Sequence, residues 1–248
     1  MIDQQFFSTN KKAVLSVLLL VVLLIAVAFG FIFYKKIVGN NKAVPLAKDH
    51  NANILEMIKD IEVKEVRSLD SSDHLWGNDN APVQIIFYGD FDCPFSAAFY
   101  DTLEKVKQEY KEKIKIGFRH YPAHTASALL PALVVECAAE QNKFWEMYSR
   151  LFIDKKNENM DIEQFNKDAK DIGLQFDKFK ECVESEKYLD KIQSQLEEGR
   201  VFNVNGTPTV FVGKEQLSGA IPWDNYKDQN EQKQEGLKNI IDRHLSGK

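Results

Sequence analysis

The sequence predicts an α/β domain that contains an inserted block of helices and follows one N-terminal membrane-spanning helix. Three observations carry this prediction. An uncharged apolar run covers residues 13–34, and a strand–helix–strand pattern covers residues 83–119. Such a unit implies parallel strands joined by a right-handed crossover. Between residues 124 and 202, apolar residues recur in blocks at helical spacing. The 248 residues suffice for one good-sized domain with an attachment.

The apolar run is long enough to cross a bilayer. At 1.5 Å per residue, a helix over residues 13–34 is about 33 Å long, which spans a hydrocarbon core. We therefore expect a transmembrane signal anchor there, behind a cytoplasmic stub at residues 1–12. A cleaved signal peptide is the alternative, because Lys11 and Lys12 form a basic flank and Ala26–Ala28 a small-residue pattern. The apolar run continues beyond that pattern, which favours the anchor.

The orientation of the anchor is not decided by charge alone. Lys35, Lys36 and Lys42 follow the span and slightly outnumber the lysines before it, which favours a cytoplasmic C-terminal domain. A short stub before one apolar segment nevertheless behaves as a signal anchor, and long domains translocate largely regardless of charge. We expect the C-terminal domain to lie outside the cytoplasm. The polar residues 35–75 are predicted to form a stalk, and residues 76–248 the domain.

Composition excludes two broad classes of protein. The net charge is −5 and the basic residues are spread along the chain, so we expect no nucleic-acid partner. Three cysteines are too few for a disulfide scaffold, so packing must hold the fold.

The most informative residue is a cysteine between a strand and a helix. Val83–Gly89 is predicted to be a buried strand, and Pro94 suits the first turn of a helix that continues to about Glu112. The next strand is predicted at Lys113–Arg119. Cys93 then lies at a helix N-terminus, where unpaired N–H groups and the positive end of the helix dipole stabilise a thiolate. It is the expected nucleophile.

The residue three positions after this cysteine is a serine. A hydroxyl at Ser96 can hydrogen-bond a thiolate but cannot close a disulfide, so Cys93 and Ser96 together predict a catalytic monothiol site that cannot store an oxidising equivalent. Phe95 is expected to be exposed beside the thiol on an apolar peptide-binding surface. Asp90 and Asp92 are expected to be solvated loop charges, with tuning of the thiolate as the alternative.

The other two cysteines fall in the helical insertion at about residues 124–202. Cys137 and Cys182 each lie on an apolar helix face. In an extracytoplasmic domain they are candidates for a structural disulfide; two separate buried thiols are the alternative, since free cysteine behaves as a small hydrophobe. A third interpretation makes one of them a distant resolving thiol for Cys93.

The sequence gives no indication of a metal site. His120 and His124 flank Pro122, so they do not share a helical face, and no cysteine lies nearby in the sequence. We expect His120 to pack at the domain junction or at the rim of the active site.

The C-terminal part of the chain predicts two strands and a helix. Thr207–Gly213 reads as a strand and Leu217–Ala220 as its short partner. A closing helix is predicted from about Trp223 to Leu245.

Several short sequences between about Leu75 and Ser246 carry a likeness to a known family. In order, they are Trp76–Asn78, Ala81–Val83, Asp90–Pro94, Phe118–Pro122, Gln141–Met147 and Val204–Thr209. Together they resemble the DsbA-like thiol-disulfide oxidoreductases of the thioredoxin superfamily. The resemblance implies a thioredoxin fold with an inserted helical subdomain.

The resemblance also implies a substrate-binding surface. Pro208 is expected to be a cis proline packed against Cys93, because an X–Pro bond adopts cis at low cost. The backbone of Thr207 would then hold an extended substrate strand. Pro94 and Phe95 are the expected substrate-binding residues on the helix side.

The family's oxidase activity does not carry over, since oxidases of this family donate a disulfide through two active-site cysteines and this chain has Ser96. We expect a protein thiol-disulfide oxidoreductase of isomerase or reductase type, without a cofactor. Its partners would be cysteine-containing substrate proteins and a redox partner protein or small thiol, outside the cell membrane. The alternative is a redox-inactive peptide-binding or chaperone-like module. A purely structural scaffold has no specific support in the sequence.

Overall fold

The computed structural model of the protein describes residues 65–247. The expected anchor at residues 13–34 and most of the expected stalk lie outside this range. Between residues 65 and 247, no helix has both the length and the apolar character needed to cross a membrane.

Two sheets contain the strands of the described chain. The strands are β1 His74–Gly77, β2 Val83–Gly89, β3 Ile114–His120, β4 Thr209–Val212, β5 Glu215–Ser218, β6 Tyr226–Lys227 and β7 Lys233–Gln234. The main sheet has the order β1-β3-β2-β4-β5, and β6 pairs only with β7. β2 and β3 are parallel, with Ile85 opposite Ile116, whereas the other neighbours are antiparallel. The predicted strand–helix–strand unit is confirmed.

The helices lie around this sheet and in one insertion. They are α1 Pro94–Tyr110, α2 Leu129–Ala139, α3 Phe144–Lys156, α4 Ile162–Asp171, α5 Phe176–Glu184, α6 Leu189–Val201 and α7 Leu237–Leu245. α1 connects β2 to β3, and a short 3-10 turn at Lys111–Lys113 ends this crossover. α2 to α6 all fall between β3 and β4, as the sequence predicts for the helical insertion.

Aromatic side chains join the insertion to the sheet. Phe91 precedes α1, and its ring centroid lies 4.7 Å from Phe152 of α3 and 5.2 Å from Phe118 of β3. Phe87 on β2 lies 5.2 Å from Phe118. All four are fully buried. Because aromatic rings bury large apolar areas and pair favourably at these separations, this cluster holds the C-terminal end of β2 against α3.

The folded unit begins earlier than the sequence predicts. The expected stalk extends to residue 75, but β1 begins at His74 and pairs with β3. Just before it, the buried Asp73 accepts hydrogen bonds from Arg119 at 2.8 Å and from Arg67 at 3.0 Å. Asp73 is buried because both arginines pair with it, whereas Asp70, Ser71 and Ser72 of the same segment are exposed.

The closing helix is shorter than predicted. Of the range 223–245, only α7 is an α-helix, and the residues before it form the β6–β7 hairpin. The Asp228 carboxylate accepts backbone N–H bonds from Asn230 at 2.8 Å and from Gln232 at 3.0 Å. Such side-chain bonds to the backbone favour a turn over a helix. The prediction of a helix from about Trp223 is therefore wrong.

Candidate active site

The sequence-predicted nucleophile caps the helix that follows β2. The backbone N–H of Cys93 donates to Asp90 O at 3.1 Å, which closes the turn. Cys93 is the N-cap of α1, with φ −86° and ψ 121°, and Pro94 is the first helical residue. The first-turn N–H groups of Phe95 and Ser96 have no acceptor within the helix. The thiol therefore lies at the positive end of α1.

The second half of the site is the loop before β4. The Thr207–Pro208 peptide bond is cis. The Cys93 thiol donates a hydrogen bond to Thr207 O at 3.2 Å, although 114 residues separate the two in sequence. Thr207 lies two residues before β4 begins, so its N–H is outside the ladder with β2. The expected nucleophile and the backbone expected to hold substrate thus lie side by side.

The hydrogen bond to Thr207 belongs to the protonated form of the thiol. A thiolate has no proton to donate, and a carbonyl oxygen 3.2 Å away repels it. After ionisation, Sγ is expected to turn towards the free N–H groups of the first turn of α1. Cys93 itself is only 2% exposed.

Ser96 is placed differently from expectation. Its side chain is fully buried, and its Oγ accepts the backbone N–H of Asp90 at 3.4 Å. A hydrogen bond between Ser96 and Cys93 is not among those of residues 65–247. In this state the hydroxyl supports the turn that holds Cys93 rather than the sulfur itself.

The two aspartates of this turn are buried, so the expectation of solvated loop charges is wrong. Asp90 Oδ1 accepts the N–H of Asp92 at 2.9 Å, and Oδ2 accepts the N–H of His124 at 3.1 Å. Burial is the main cause that raises the pKa of Asp90, with the charge of Asp92 acting in the same direction. Asp90 therefore fixes the shape of the turn through backbone bonds.

Asp92 links the turn to the helical insertion. Its Oδ1 accepts from Lys155 Nζ at 2.7 Å, and its Oδ2 accepts from Ser127 at 2.9 Å and from Thr125. Burial opposes ionisation, but the bonds from these three residues outweigh it and hold the pKa of Asp92 below its ordinary value. Lys155 thus compensates a negative charge directly beside Cys93.

An apolar surface lies beside the thiol. Phe95 is 62% exposed and Pro94 is also exposed. Exposed apolar side chains therefore follow Cys93 directly in the first turn of α1.

The other two cysteines form a disulfide between α2 and α5. Cys137 and Cys182 have an S–S distance of 2.06 Å and a Cα–Cα distance of 5.8 Å, and both are buried. Cys93 is the free cysteine. In this state neither partner of the disulfide is available to resolve a bond formed at Cys93.

Sequence reasoning missed one polar cluster behind the site. Glu136 Oε1 lies 2.8 Å from His120 Nε2 and 2.7 Å from His74 Nε2, whereas His124 is exposed elsewhere. Burial lowers the pKa of His120. At Glu136 burial acts to raise the pKa, but the hydrogen bonds from His120 and His74 outweigh it and hold the pKa of this carboxyl well below its ordinary value. The signal for this cluster was a carboxylate within the otherwise apolar α2.

Comparison with known proteins identifies the fold and the family. A family model described as thioredoxin matches residues 70–243. The chain belongs to the thioredoxin family. Among solved structures of this fold, oxidised BdbD from Bacillus subtilis is similar, with a TM-score of 0.59, 20% identity, and coverage of 74% of this chain and 98% of that one.

A second solved structure supports the same variant of the thioredoxin fold. The thiol-disulfide exchange protein α-DsbA2 from Wolbachia pipientis gives a TM-score of 0.56 at 22% identity, covering 70% of this chain and 88% of that one. At this identity the likeness shows the fold alone. The resemblance to the DsbA-like proteins is confirmed at that level.

A curated relative carries this thioredoxin-family sequence as a minor part of its length. The Na(+)/H(+) antiporter NhaA 1 of Mycolicibacterium gilvum is 30% identical over 179 residues, which is 66% of this chain and 27% of the antiporter. The chain spans about a quarter of the length of the curated relatives it matches. The antiport activity named for those proteins is therefore not transferred to this chain.

Proposed function

We propose that this protein is a membrane-anchored thiol–disulfide exchange protein that acts on extracytoplasmic proteins through Cys93 alone. The observation that carries the proposal is the placement of the Cys93 thiol at the N-terminus of α1, 3.2 Å from Thr207 O and beside the cis Pro208. A nucleophile and an extended-strand binding backbone within contact distance are what disulfide exchange on a polypeptide requires.

The reaction begins with one exchange at the substrate. The Cys93 thiolate attacks one sulfur of a substrate disulfide; a new S–S bond forms, the substrate S–S bond breaks, and the other substrate sulfur leaves as a thiolate. In isomerisation, a different thiolate of the same substrate attacks the substrate sulfur of the mixed disulfide, forms a new substrate disulfide and releases Cys93 as a thiolate. In reduction, a thiolate of a small thiol or a redox partner protein attacks the Cys93 sulfur and releases the reduced substrate. A second donor thiolate then attacks the donor sulfur bonded to Cys93, which frees Cys93 and leaves the donor as a disulfide.

The surrounding residues bind and orient the substrate. Thr207 and Pro208 align an extended segment beside Sγ, and Phe95 with Pro94 contacts its apolar side chains. Ser96 holds the turn and offers no second thiol, so a thiol from outside this chain must resolve the mixed disulfide.

The membrane anchor belongs to the same proposal. It is supported by the uncharged apolar run at residues 13–34. The Cys137–Cys182 disulfide supports an extracytoplasmic domain, because disulfides persist in oxidising compartments and are rare in the cytosol.

The test traps the first intermediate. The full chain in detergent is incubated with a peptide that contains one internal disulfide, and adducts are located by mass spectrometry. We expect one peptide per chain, joined to Cys93, and none with Cys93→Ser. In Ser96→Cys the introduced thiol should displace the peptide and leave an intramolecular disulfide with Cys93. If wild-type Cys93 stays free while the Ser96→Cys variant also fails to react, the exchange proposal is wrong.

A second candidate function is a redox-inactive peptide-binding module. It is favoured by one observation, the 2% exposure of Cys93. This candidate predicts that a disulfide-free extended peptide binds equally well to the wild type and to Cys93→Ser, with no mixed disulfide in the trapping experiment. Fluorescence anisotropy of a labelled peptide measures that binding directly.

A further inference from the structure

The cluster behind the active site has the donor set of a metal centre. His74 at the start of β1 and His120 at the end of β3 each bring an imidazole nitrogen within hydrogen-bond distance of one carboxylate oxygen of Glu136 on α2. These three ligand atoms all lie within 4.8 Å of one another. We propose that His74, His120 and Glu136 bind a zinc ion, which would tie the sheet to the helical insertion.

The spacing of the ligand atoms suits zinc after a small adjustment. Glu136 Oε1 lies 2.7 Å from His74 Nε2 and 2.8 Å from His120 Nε2. Tetrahedral zinc with bonds of about 2.0 Å separates its ligand atoms by about 3.3 Å. The ion therefore fits between these atoms if each imidazole nitrogen moves about 0.5 Å further from the Glu136 oxygen. Two imidazoles with one carboxylate are a donor set that zinc uses when its fourth position holds water.

Burial and packing prepare the ligands. His120 and Glu136 are each about 1% exposed, and His74 is held by a parallel ring contact with Phe144 at 3.6 Å. Rigid packing reduces the ordering that binding would otherwise require. His74 side-chain exposure of 14% leaves a route for the ion from solvent.

Lys191 places a positive charge beside the proposed zinc ligands. Lys191 Nζ lies 2.9 Å from Glu136 Oε2 and 3.0 Å from His74 Nε2. His74 Nε2 cannot donate to Glu136 and accept from Lys191 at the same time, so one of these contacts is unsatisfied. Zinc resolves this conflict by taking the lone pairs of both imidazoles. Lys191 is 30% exposed on a long side chain and can withdraw into water.

The experiment uses the full chain without a histidine tag, in detergent and freed of metal with a chelator. Cobalt(II) is titrated first, because tetrahedral cobalt absorbs visible light, and zinc is then added to displace it. We expect cobalt absorption bands at one ion per chain. His74→Ala should weaken binding at least about 100-fold, whereas Lys191→Met should strengthen it about tenfold by removing a neighbouring positive charge.

His244→Ala is the matched control. His244 forms a comparable pair with a carboxylate, 2.9 Å from Glu215, but stands outside the cluster, so its loss should not change the affinity. Lys191→Met changes a partly exposed residue and tests the site even where His74→Ala fails to fold. Absence of cobalt bands, an unchanged affinity in His74→Ala, or weaker binding in Lys191→Met overturns the proposal. A sulfur-to-cobalt charge-transfer band overturns it too, because the ion would then be on Cys93.

Discussion

We expect Asp154→Asn to stabilise the protein above pH 7 and to leave its stability nearly unchanged at pH 4. Asp154 of α3 and Asp168 of α4 are both buried, and Asp154 Oδ2 has no hydrogen-bond donor. Gln164 Nε2 donates to Asp154 Oδ1 at 3.3 Å and to the Asp168 carboxylate at 3.2 Å. Burial, followed by the hydrogen bond and charge of Asp168, raises the pKa of Asp154 to about 7. Asp154 therefore keeps its proton to a higher pH than an ordinary aspartate.

The sign and size of the effect follow from linkage. The folded-state pKa of about 7 lies above the ordinary value of 3.8, so the protonated side chain stabilises the fold below pH 3.8 and this contribution is lost as the pH rises through 7. The difference between these two pKa values corresponds to a change of about 4 kcal/mol in the free energy of unfolding. Arg150, 3.7 Å from Asp168, and the nearby solvent screen the repulsion. We therefore expect Asp154→Asn to raise the free energy of unfolding by about 2 kcal/mol at pH 8.

The assay is urea unfolding of the fragment 63–248, a compact unit, at pH 4 and pH 8. Asp154→Asn should raise the free energy of unfolding at pH 8 and match the wild type at pH 4, since asparagine resembles the protonated acid. Asp171→Asn, which changes an exposed aspartate at the end of α4, should have no such pH dependence. An equal effect of Asp154→Asn at both pH values, or destabilisation at pH 8, would refute the reasoning.

Two further predictions concern the insertion and the active-site turn. Replacing Cys137 and Cys182 by alanine removes a cross-link that closes a loop of 45 residues. In the loop-entropy model this change should lower the free energy of unfolding, measured in urea, by about 4 kcal/mol. A decrease of less than about 1 kcal/mol would contradict that model for this protein. Lys155→Met leaves the Asp92 charge uncompensated beside Cys93 and should slow alkylation of Cys93 at pH 7 by about threefold, as measured by mass spectrometry. An unchanged rate would show that Lys155 does not influence the thiol.

The features that local patterns encode were predictable from the sequence. A β-rich run ending at Gly89 and Pro94 at a helix start placed Cys93 at the N-cap, because these signals act over a few residues. The family resemblance then predicted that Thr207 lies beside the thiol. Hydrophobic periodicity could not predict this contact, because 114 residues separate the two in the sequence. The helical insertion was predictable from its apolar spacing.

Features that depend on pairing across the chain were not predictable. Asp92 looks like a loop charge until Lys155 of α3 is brought to 2.7 Å from it. Glu136 finds His74 and His120 only after β1, β3 and α2 have packed together. These polar residues are tolerated in the interior because they are hydrogen-bonded, and partners distant in sequence leave no local pattern.

The most direct test of the proposed function measures disulfide exchange at Cys93. The rate of mixed-disulfide formation with a peptide disulfide at pH 7 is compared between the full chain, the chain denatured in urea, and a small free thiol. We predict that native Cys93 reacts at least about tenfold faster than either reference, because the N-terminus of α1 stabilises the thiolate and the Thr207 backbone orients the peptide. A native rate equal to or below that of the denatured chain would contradict thiol–disulfide exchange and favour the peptide-binding module.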